Sequence, residues 1–277
     1  MTTQWQFTAC QLTSAVAPAD NLQQIRDLLT QIPTERPQLV VLPEGVMCFD
    51  GPVDANQRLQ EPLGAGEWQQ QLAALASEFS IYLLVGTFPT QTADANKFAA
   101  SSLLFAPEGN LIADYQKIHL FDADVADGTA SYRESNRTAA GQKVTVAELP
   151  GLKLGMAVCY DMRFPGLFQA MLQQGMTVLA LPSAFTTVTG AAHWHTLLRA
   201  RAIETQSFVI APAQTGCHQQ GRQTYGHSLI IDPWGTVLAD AGETPGLISV
   251  AVDLTEVSAL RAKMPVQRHN RFTSEYL

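Results

Sequence analysis

The sequence is poor in the features that announce most protein classes. Charged residues make up only 15% of its 277 positions, and no apolar stretch approaches the ~18 residues that a membrane-spanning helix requires. The run from Met1 to Cys10 has neither a basic start nor a long apolar core. No signal peptide and no membrane association are expected, and the expected location is the cytoplasm. Runs of Lys and Arg are missing too. Acidic residues outnumber basic ones, 25 to 17, for a formal net charge of −8. A nucleic-acid partner is therefore not expected, because neutralising phosphates needs a basic face.

Cysteine is scarce. Cys10, Cys48, Cys159 and Cys217 are far apart and include no C-x-x-C pair, which points to four free thiols in a reducing compartment. The standard catalytic signatures are missing as well. There is no G-x-S-x-G, no G-x-x-x-x-G-K-[ST] and no G-x-G-x-x-G. His193 and His195 resemble a metal pair, but they fall in a helical stretch, where positions i and i+2 point about 200° apart. No metal and no organic cofactor are expected.

What is present is an alternation of short apolar runs with amphipathic segments. Strands are predicted at 4–12, 39–42, 81–88, 98–106, 111–116, 144–148, 152–159, 177–182, 207–213, 226–232, 237–240 and 247–252. Helices are predicted at 20–31, 66–79, 165–174 and 190–205, the last with Trp194, Leu197, Leu198 and Ile203 on its apolar face. Residues 118–142 lack periodicity and read as one long loop, a length that is usually functional or disordered. Nothing marks a linker or a repeat. The chain is α/β with both crossover and antiparallel connections, and one domain over 1–277 is expected. The polar stretch from about 253 onward is expected to pack on the outside or on a partner.

Three strand ends carry reactive residues. Glu44 follows the apolar run 39–42 and Pro43, and Gly45 lets the chain turn away. A carboxylate there is either a surface turn residue or one that is paired, since burying it alone is costly. Lys117 closes the strand 111–116 at the mouth of the long loop, and alone it reads as a solvated lysine. Cys159 ends the run from Leu152 and leads through Y-D-M-R-F-P into a helix. It is either a small buried hydrophobe or a nucleophile whose thiolate is favoured by the turn and by the positive end of the following helix.

Taken together and in order, P-E at 43–44, Y-x-K-x-H-L at 115–120 and C-Y-D-x-R-F-P at 159–165 resemble the nitrilase, or carbon–nitrogen hydrolase, superfamily. L-P-S-A-F at 181–185, H-W at 193–194, R-A-R-A at 199–202 and Y-G-H-S at 225–228 extend the resemblance over nearly the whole chain. It implies a four-layer α-β-β-α sandwich with mixed sheets, commonly paired as a homodimer. It also implies a Glu–Lys–Cys triad at Glu44, Lys117 and Cys159, and hydrolysis of a non-peptide C–N bond through a thioester. In those roles Cys159 attacks, with its pKa lowered by Lys117. Glu44 moves the protons. Lys117 and the backbone N–H of Tyr160 hold the oxyanion. Glu134 matches a second glutamate common in the family and would position Lys117.

The segment from His119 to Gly141 resembles the family branch that contains deaminated glutathione amidases and omega-amidases. That implies a small-molecule amide of 2-oxoglutarate. Deaminated glutathione is favoured over 2-oxoglutaramate, because the residues after Glu44 lack the Asn and Pro frequent in omega-amidases. Hydrolysis of another small amide or a nitrile is a further alternative, and a non-catalytic, partner-binding role is the outside alternative. Such substrates carry carboxylates, for which arginine is the usual partner. Arg133, Arg163 and Arg199 are candidates for that contact, and Tyr132, Phe185 and Thr186 are candidates for lining the pocket.

Overall fold

The computed structural model describes residues 3–35, 37–127 and 131–276. Residues 128–130 of the long segment after Lys117 lie outside that description, as do 1, 2, 36 and 277. In chain order, the first half contributes β1 (Gln4–Gln11), β2 (Gln38–Val41), β3 (Tyr82–Gln91), β4 (Phe98–Phe105) and β5 (Leu111–Gln116). A small hairpin of β6 (Asp122–Asp124) and β7 (Ser131–Arg133) follows, then β8 (Thr138–Ala139). The second half contributes β9 (Thr145–Leu149), β10 (Leu152–Met156), β11 (Val178–Ala180) and β12 (Phe208–Ala211). The hairpin β13 (Thr215–Cys217) and β14 (Gln223–Tyr225) precedes β15 (Leu229–Ile231), β16 (Val237–Asp240) and β17 (Gly246–Asp253). The helices are α1 (Pro18–Leu29), α2 (Ala55–Leu59), α3 (Glu67–Phe79), α4 (Pro165–Gln173), α5 (Thr187–Thr205), α6 (Thr255–Lys263) and α7 (Val266–His269).

Two mixed sheets result. One runs β17-β1-β2-β3-β4-β5 with β8 beside β4, and the other runs β16-β15-β12-β11-β10-β9. The parallel trio β1-β2-β3 is matched by the parallel trio β10-β11-β12, each flanked by antiparallel neighbours. Side-chain alternation decides which sheet face meets what. Trp5, Phe7, Ala9, Leu39 and Val41 turn toward the second sheet, and Phe7 meets Phe208 edge-on across the gap at 5.8 Å. Val40, Leu83 and Leu103 turn the other way, onto Ile25 and Leu29 of α1 and Leu72 and Leu75 of α3. The outer face of the second sheet is covered by α4 and α5 through Phe168, Met171, Trp194 and Leu198. The layers are therefore helix, sheet, sheet, helix, as expected.

Several details differ from the sequence reading. The strand predicted over 152–159 ends at Met156, and Cys159–Arg163 is a tight 3-10 turn. Helix α5 begins three residues earlier than predicted, because the Thr186 hydroxyl accepts the Thr189 N–H and caps it. Ile203 is exposed, not on the buried face. It lies nine residues beyond Trp194, about half a revolution away on a helix. The segment 118–142 is not one unstructured loop, since it holds β6, β7, a 3-10 turn at Glu134–Asn136 and β8. The polar tail packs on its own chain: Val257 is buried, and Arg261 donates to the carbonyls of Met176 and Thr205. Beyond it, Phe272 and Tyr276 are exposed.

Candidate active site

The three reactive strand ends converge at one end of the sandwich. Glu44 follows β2 in a turn that needs two glycines. Gly45 adopts φ +65, a left-handed conformation, and Gly86 of β3 lies against the Pro43 carbonyl, where a Cβ would sit 2.2 Å from the oxygen. Thr87 Oγ1 accepts the Gly45 N–H at 2.7 Å. Gln214, fully buried, donates to the Glu44 carbonyl at 2.9 Å and to Ser14 Oγ at 2.7 Å. The backbone around Glu44 is thus held on two sides.

Lys117 is clamped in the same way. Its N–H donates to Ala100 O at 3.0 Å, and its carbonyl accepts from Gly141 N at 2.8 Å. The ammonium is almost wholly buried. It reaches Glu44 Oε1 at 2.8 Å and the two oxygens of Glu134 at 3.1 and 2.9 Å. Glu134 is itself fixed by the Phe121 N–H at 2.6 Å.

Cys159 has φ +48, a left-handed conformation that costs a non-glycine residue energy. The turn over-determines it: Cys159 N–H donates to Pro182 O at 2.9 Å and Asp161 N–H to Val158 O at 3.0 Å. Asp161 is fully buried and ties this turn to the Lys117 strand end. Its Oδ2 accepts Tyr115 Oη at 2.7 Å and Val158 N at 2.8 Å, while its Oδ1 accepts His119 N at 3.0 Å and pairs with His119 Nδ1 at 2.7 Å. A ring of aromatics seals the joint. His119 stacks on Phe164 at 3.7 Å, and Tyr160 packs edge-on against both Phe121 and Phe164. Tyr160 N–H has no acceptor among the described residues.

The charge balance corrects one expectation. Burial is the largest influence on the Cys159 thiol and raises its pKa. The adjacent Glu44 raises it further, and Lys117 and the Ala184 N–H pull it down too little to compensate. Burial and the Glu44 charge together favour the thiol over the thiolate at Cys159. Nor does it sit at the start of α4, which begins six residues later at Pro165. For Glu44, burial favours the neutral acid. The charge and hydrogen bond of Lys117, the Cys159 contact and the charge of Arg222 outweigh that and hold the carboxyl below its ordinary range. Burial likewise lowers the Lys117 pKa, but Glu134, Glu44 and Cys159 more than reverse it and hold the ammonium charged. The result is an ammonium between two carboxylates, with the Cys159 thiol in the same cavity.

These groups open into a cavity of about 390 Å³. Tyr132, Arg133, Arg163, Phe185 and Thr186 all line it. Tyr132 donates to Asp127 at 2.8 Å, and Arg133 is spent on Asp124 at 2.9 Å and on the Tyr132 carbonyl. Arg199 does not belong to it. Its Nε donates to Gly235 O at 2.8 Å on the outer side of α5, because position 199 lies on a different face from Thr186 and Thr189. Arg163 has no carboxylate partner among the described residues, only the His193 ring at 3.3 Å. His195 turns instead to Asp240, so the two histidines diverge as expected. Asp240 also accepts from His227 Nδ1 at 3.0 Å and from the Gly242 N–H at 2.8 Å, which ties His195, His227 and Asp240 into one hydrogen-bonded cluster.

Sequence reasoning missed Asp161, His119, Gln214 and Arg222. Asp161 and His119 stood inside quoted motifs, and a carboxylate two residues from the candidate nucleophile was the available signal. Gln214 and Arg222 had no local signal, being brought in by the β13–β14 hairpin.

The chain is similar over most of its length to known proteins. Residues 7–262 match the model of the carbon–nitrogen hydrolase family. A deaminated glutathione amidase of Yersinia enterocolitica is 40% identical over 265 residues, covering 95% of this chain and 92% of that protein. The deaminated glutathione amidase of Homo sapiens is 39% identical over 266 residues, covering 95% of this chain and 81% of that one. The crystal structure of Saccharomyces cerevisiae Nit3, a nitrilase-superfamily member, superimposes with a TM-score of 0.87 at 31% identity and covers 98% of each chain.

Proposed function

This chain belongs to the carbon–nitrogen hydrolase family and is an amidase; from that premise we propose that it hydrolyses deaminated glutathione to 2-oxoglutarate and cysteinylglycine. The observation that carries the chemistry is that Cys159 shares one cavity with the Glu44 carboxylate and the Lys117 ammonium, which pair at 2.8 Å. A resting thiol cannot attack an amide unaided. Glu44 takes the proton as the sulfur bonds to the carbonyl carbon, so thiolate never has to accumulate.

The carbonyl oxygen becomes an oxyanion, for which the Lys117 ammonium and the uncommitted Tyr160 N–H are the donors. Losing one such donor typically raises the barrier by ~3 kcal/mol. Glu44 then returns its proton to the nitrogen, the C–N bond breaks, the amine leaves, and the acyl group remains as a thioester on Cys159. Water gives a proton to Glu44 and adds to the thioester. Collapse of that second adduct frees the acid and restores the thiol. Glu134 acts on Lys117: with two carboxylates around the ammonium, its charge is retained even while Glu44 is protonated. No step calls for a metal or an organic cofactor.

The substrate rests on the relatives' activity and on the pocket's shape. Arg163 and the first turn of α5, with Thr186 and Thr189 facing the cavity, suit the carboxylate of the 2-oxoglutaryl group. One catalytic domain is proposed over 1–277, working in the cytoplasm. A homodimer is also proposed, supported by exposed Val188, Ile203 and Trp234 on and beside the outer face of α5 and by Phe272 in the tail. No described helix is long and apolar enough to cross a membrane.

The test is release of 2-oxoglutarate from deaminated glutathione, with Cys159→Ala and Cys10→Ala in parallel. Cys10 is fully buried away from the cavity, so its variant should stay active while Cys159→Ala should not. Added hydroxylamine should divert the thioester to a hydroxamate. Activity retained by Cys159→Ala would overturn the assignment.

A further inference from the structure

Arg222 is the cavity's second uncommitted cation. It stands just before β14, and the hairpin that carries it is firmly docked. His218 donates its N–H to the Arg222 carbonyl at 2.9 Å, and the His218 ring spans Ser14 O and Thr224 Oγ1 at 3.1 and 2.8 Å. Asp50 also lines the cavity, but its Oδ2 accepts the backbone N–H groups of Gln220 and Arg222 and makes no ion pair with the guanidinium. That guanidinium lies over the rings of Phe49 at 4.7 Å and Tyr132 at 5.1 Å. Its only hydrogen bond among the described residues is a long one, 3.4 Å, from Nη2 to Ala184 O, and its buried Nε has no partner. A planar cation held between aromatic faces with open N–H groups is set up to receive a carboxylate.

Which end of the substrate it meets follows from the proton transfers. Glu44 must protonate the departing nitrogen, so the leaving group exits Cys159 on the Glu44 side. Arg222 is on that side: the Phe49 ring beneath it packs against Gly45, the residue after Glu44, and all four line the same cavity. Arg163 sits elsewhere, over Tyr160 and Phe185. We propose that Arg222 forms a leaving-group subsite, selecting amides whose departing amine ends in a carboxylate, as an amino acid or dipeptide does. A dipeptide reaches about 7 Å beyond the scissile nitrogen. The proposal rests on the amidase reading above and assigns to Arg222 the discrimination between a peptide-like leaving group and ammonia.

Three substrates that share the 2-oxoglutaryl group separate the possibilities: deaminated glutathione, the same compound with its C-terminal carboxylate converted to an amide, and 2-oxoglutaramate. Release of 2-oxoglutarate is read for each. The wild type should prefer the free acid over the C-terminal amide by about 10- to 100-fold in kcat/KM, the range for one charge-assisted bidentate contact. Arg222→Met should collapse that ratio toward one, and Arg222→Lys should restore part of it. Equal turnover of acid and amide by the wild type overturns the proposal whatever the variants do. So does a uniform loss on all three substrates in Arg222→Met, which would place Arg222 at the acyl end or on Glu44. A wild type silent on all three overturns the amidase reading itself.

Discussion

Replacing Asp161 by Asn should destabilise the protein and disable it together. The buried carboxylate accepts from Tyr115 Oη and Val158 N on one oxygen, and from His119 N and Nδ1 on the other. An Asn side chain has one oxygen and one NH2, so in either orientation the NH2 replaces an oxygen that received two donors. The tyrosine hydroxyl can rotate and the imidazole can change tautomer, but a backbone N–H can do neither. Val158 N or His119 N is therefore left facing another donor in a site closed to water. An orphaned buried donor costs about 1–3 kcal/mol, and the other bonds lose their charge-assisted share, which brings the total to about 2–5 kcal/mol. For a chain of this size that is a drop of roughly 5–15 °C in Tm. Urea unfolding should show a lower midpoint with an unchanged m value. Because the same bonds fix His119, two residues from Lys117, against the Cys159 turn, kcat should fall by about 100-fold, the scale of a 1 Å misplacement. A loss of stability under about 1 kcal/mol would refute the accounting of donors. Tyr115→Phe provides the check, since its loss should be largely contained within that of Asp161→Asn and not additive with it.

The thiol state predicts slow alkylation of Cys159 by iodoacetamide near pH 7, slower than at exposed Cys217, and faster in Glu44→Gln, which removes the charge that raises the thiol's pKa; peptide mapping by mass spectrometry reads both sites. Glu44 is depressed below its usual 4.5, so its carboxylate contributes stability above that value and loses it as pH falls through the folded pKa; the stability gap between wild type and Glu44→Gln should be full at pH 7 and vanish only in that acid range. The acid limb of kcat/KM should likewise lie below 4.5. Glu134→Gln should cut kcat by about 10²-fold with a smaller change in KM, since it weakens the partner of Lys117 without touching substrate. Gly86→Ala should destabilise the protein by at least ~2 kcal/mol and lower activity, because its Cβ collides with the Pro43 carbonyl that sets the Glu44 turn.

Much of the fold was legible because local rules produced it. The alternation of Trp5, Phe7 and Ala9 with Gln6 and Thr8 in β1, the continuous apolar runs in β2 and β11, and the i, i+4 stripe of Ile25 and Leu29 each record a local environment in a short window. Boundaries failed where something non-local intervened. The run from Leu152 to Val158 is apolar apart from Lys153, but the strand stops at Met156 since Asp161 and Pro182 claim the N–H groups of Val158 and Cys159. Helix α6 and the β13–β14 hairpin carried too weak a pattern to be read, for both are polar and are held by contacts with distant residues.

The candidate site divides along the same line. Glu44, Lys117 and Cys159 stand out in the sequence because each sits where an apolar strand stops, and the order of their motifs identified the family. Residue types and their neighbours determined that much: an acid, a cation and a thiol at three strand ends. Only the tertiary structure decided that Cys159 rests as a thiol, that Glu134 shares Lys117, and that Arg222 enters the cavity while Arg199 stays outside it. The physical reason is that pKa values and pocket membership depend on through-space distance and burial. A separation of 73 residues between Glu44 and Lys117, which ends as a 2.8 Å contact, leaves no trace in sequence spacing.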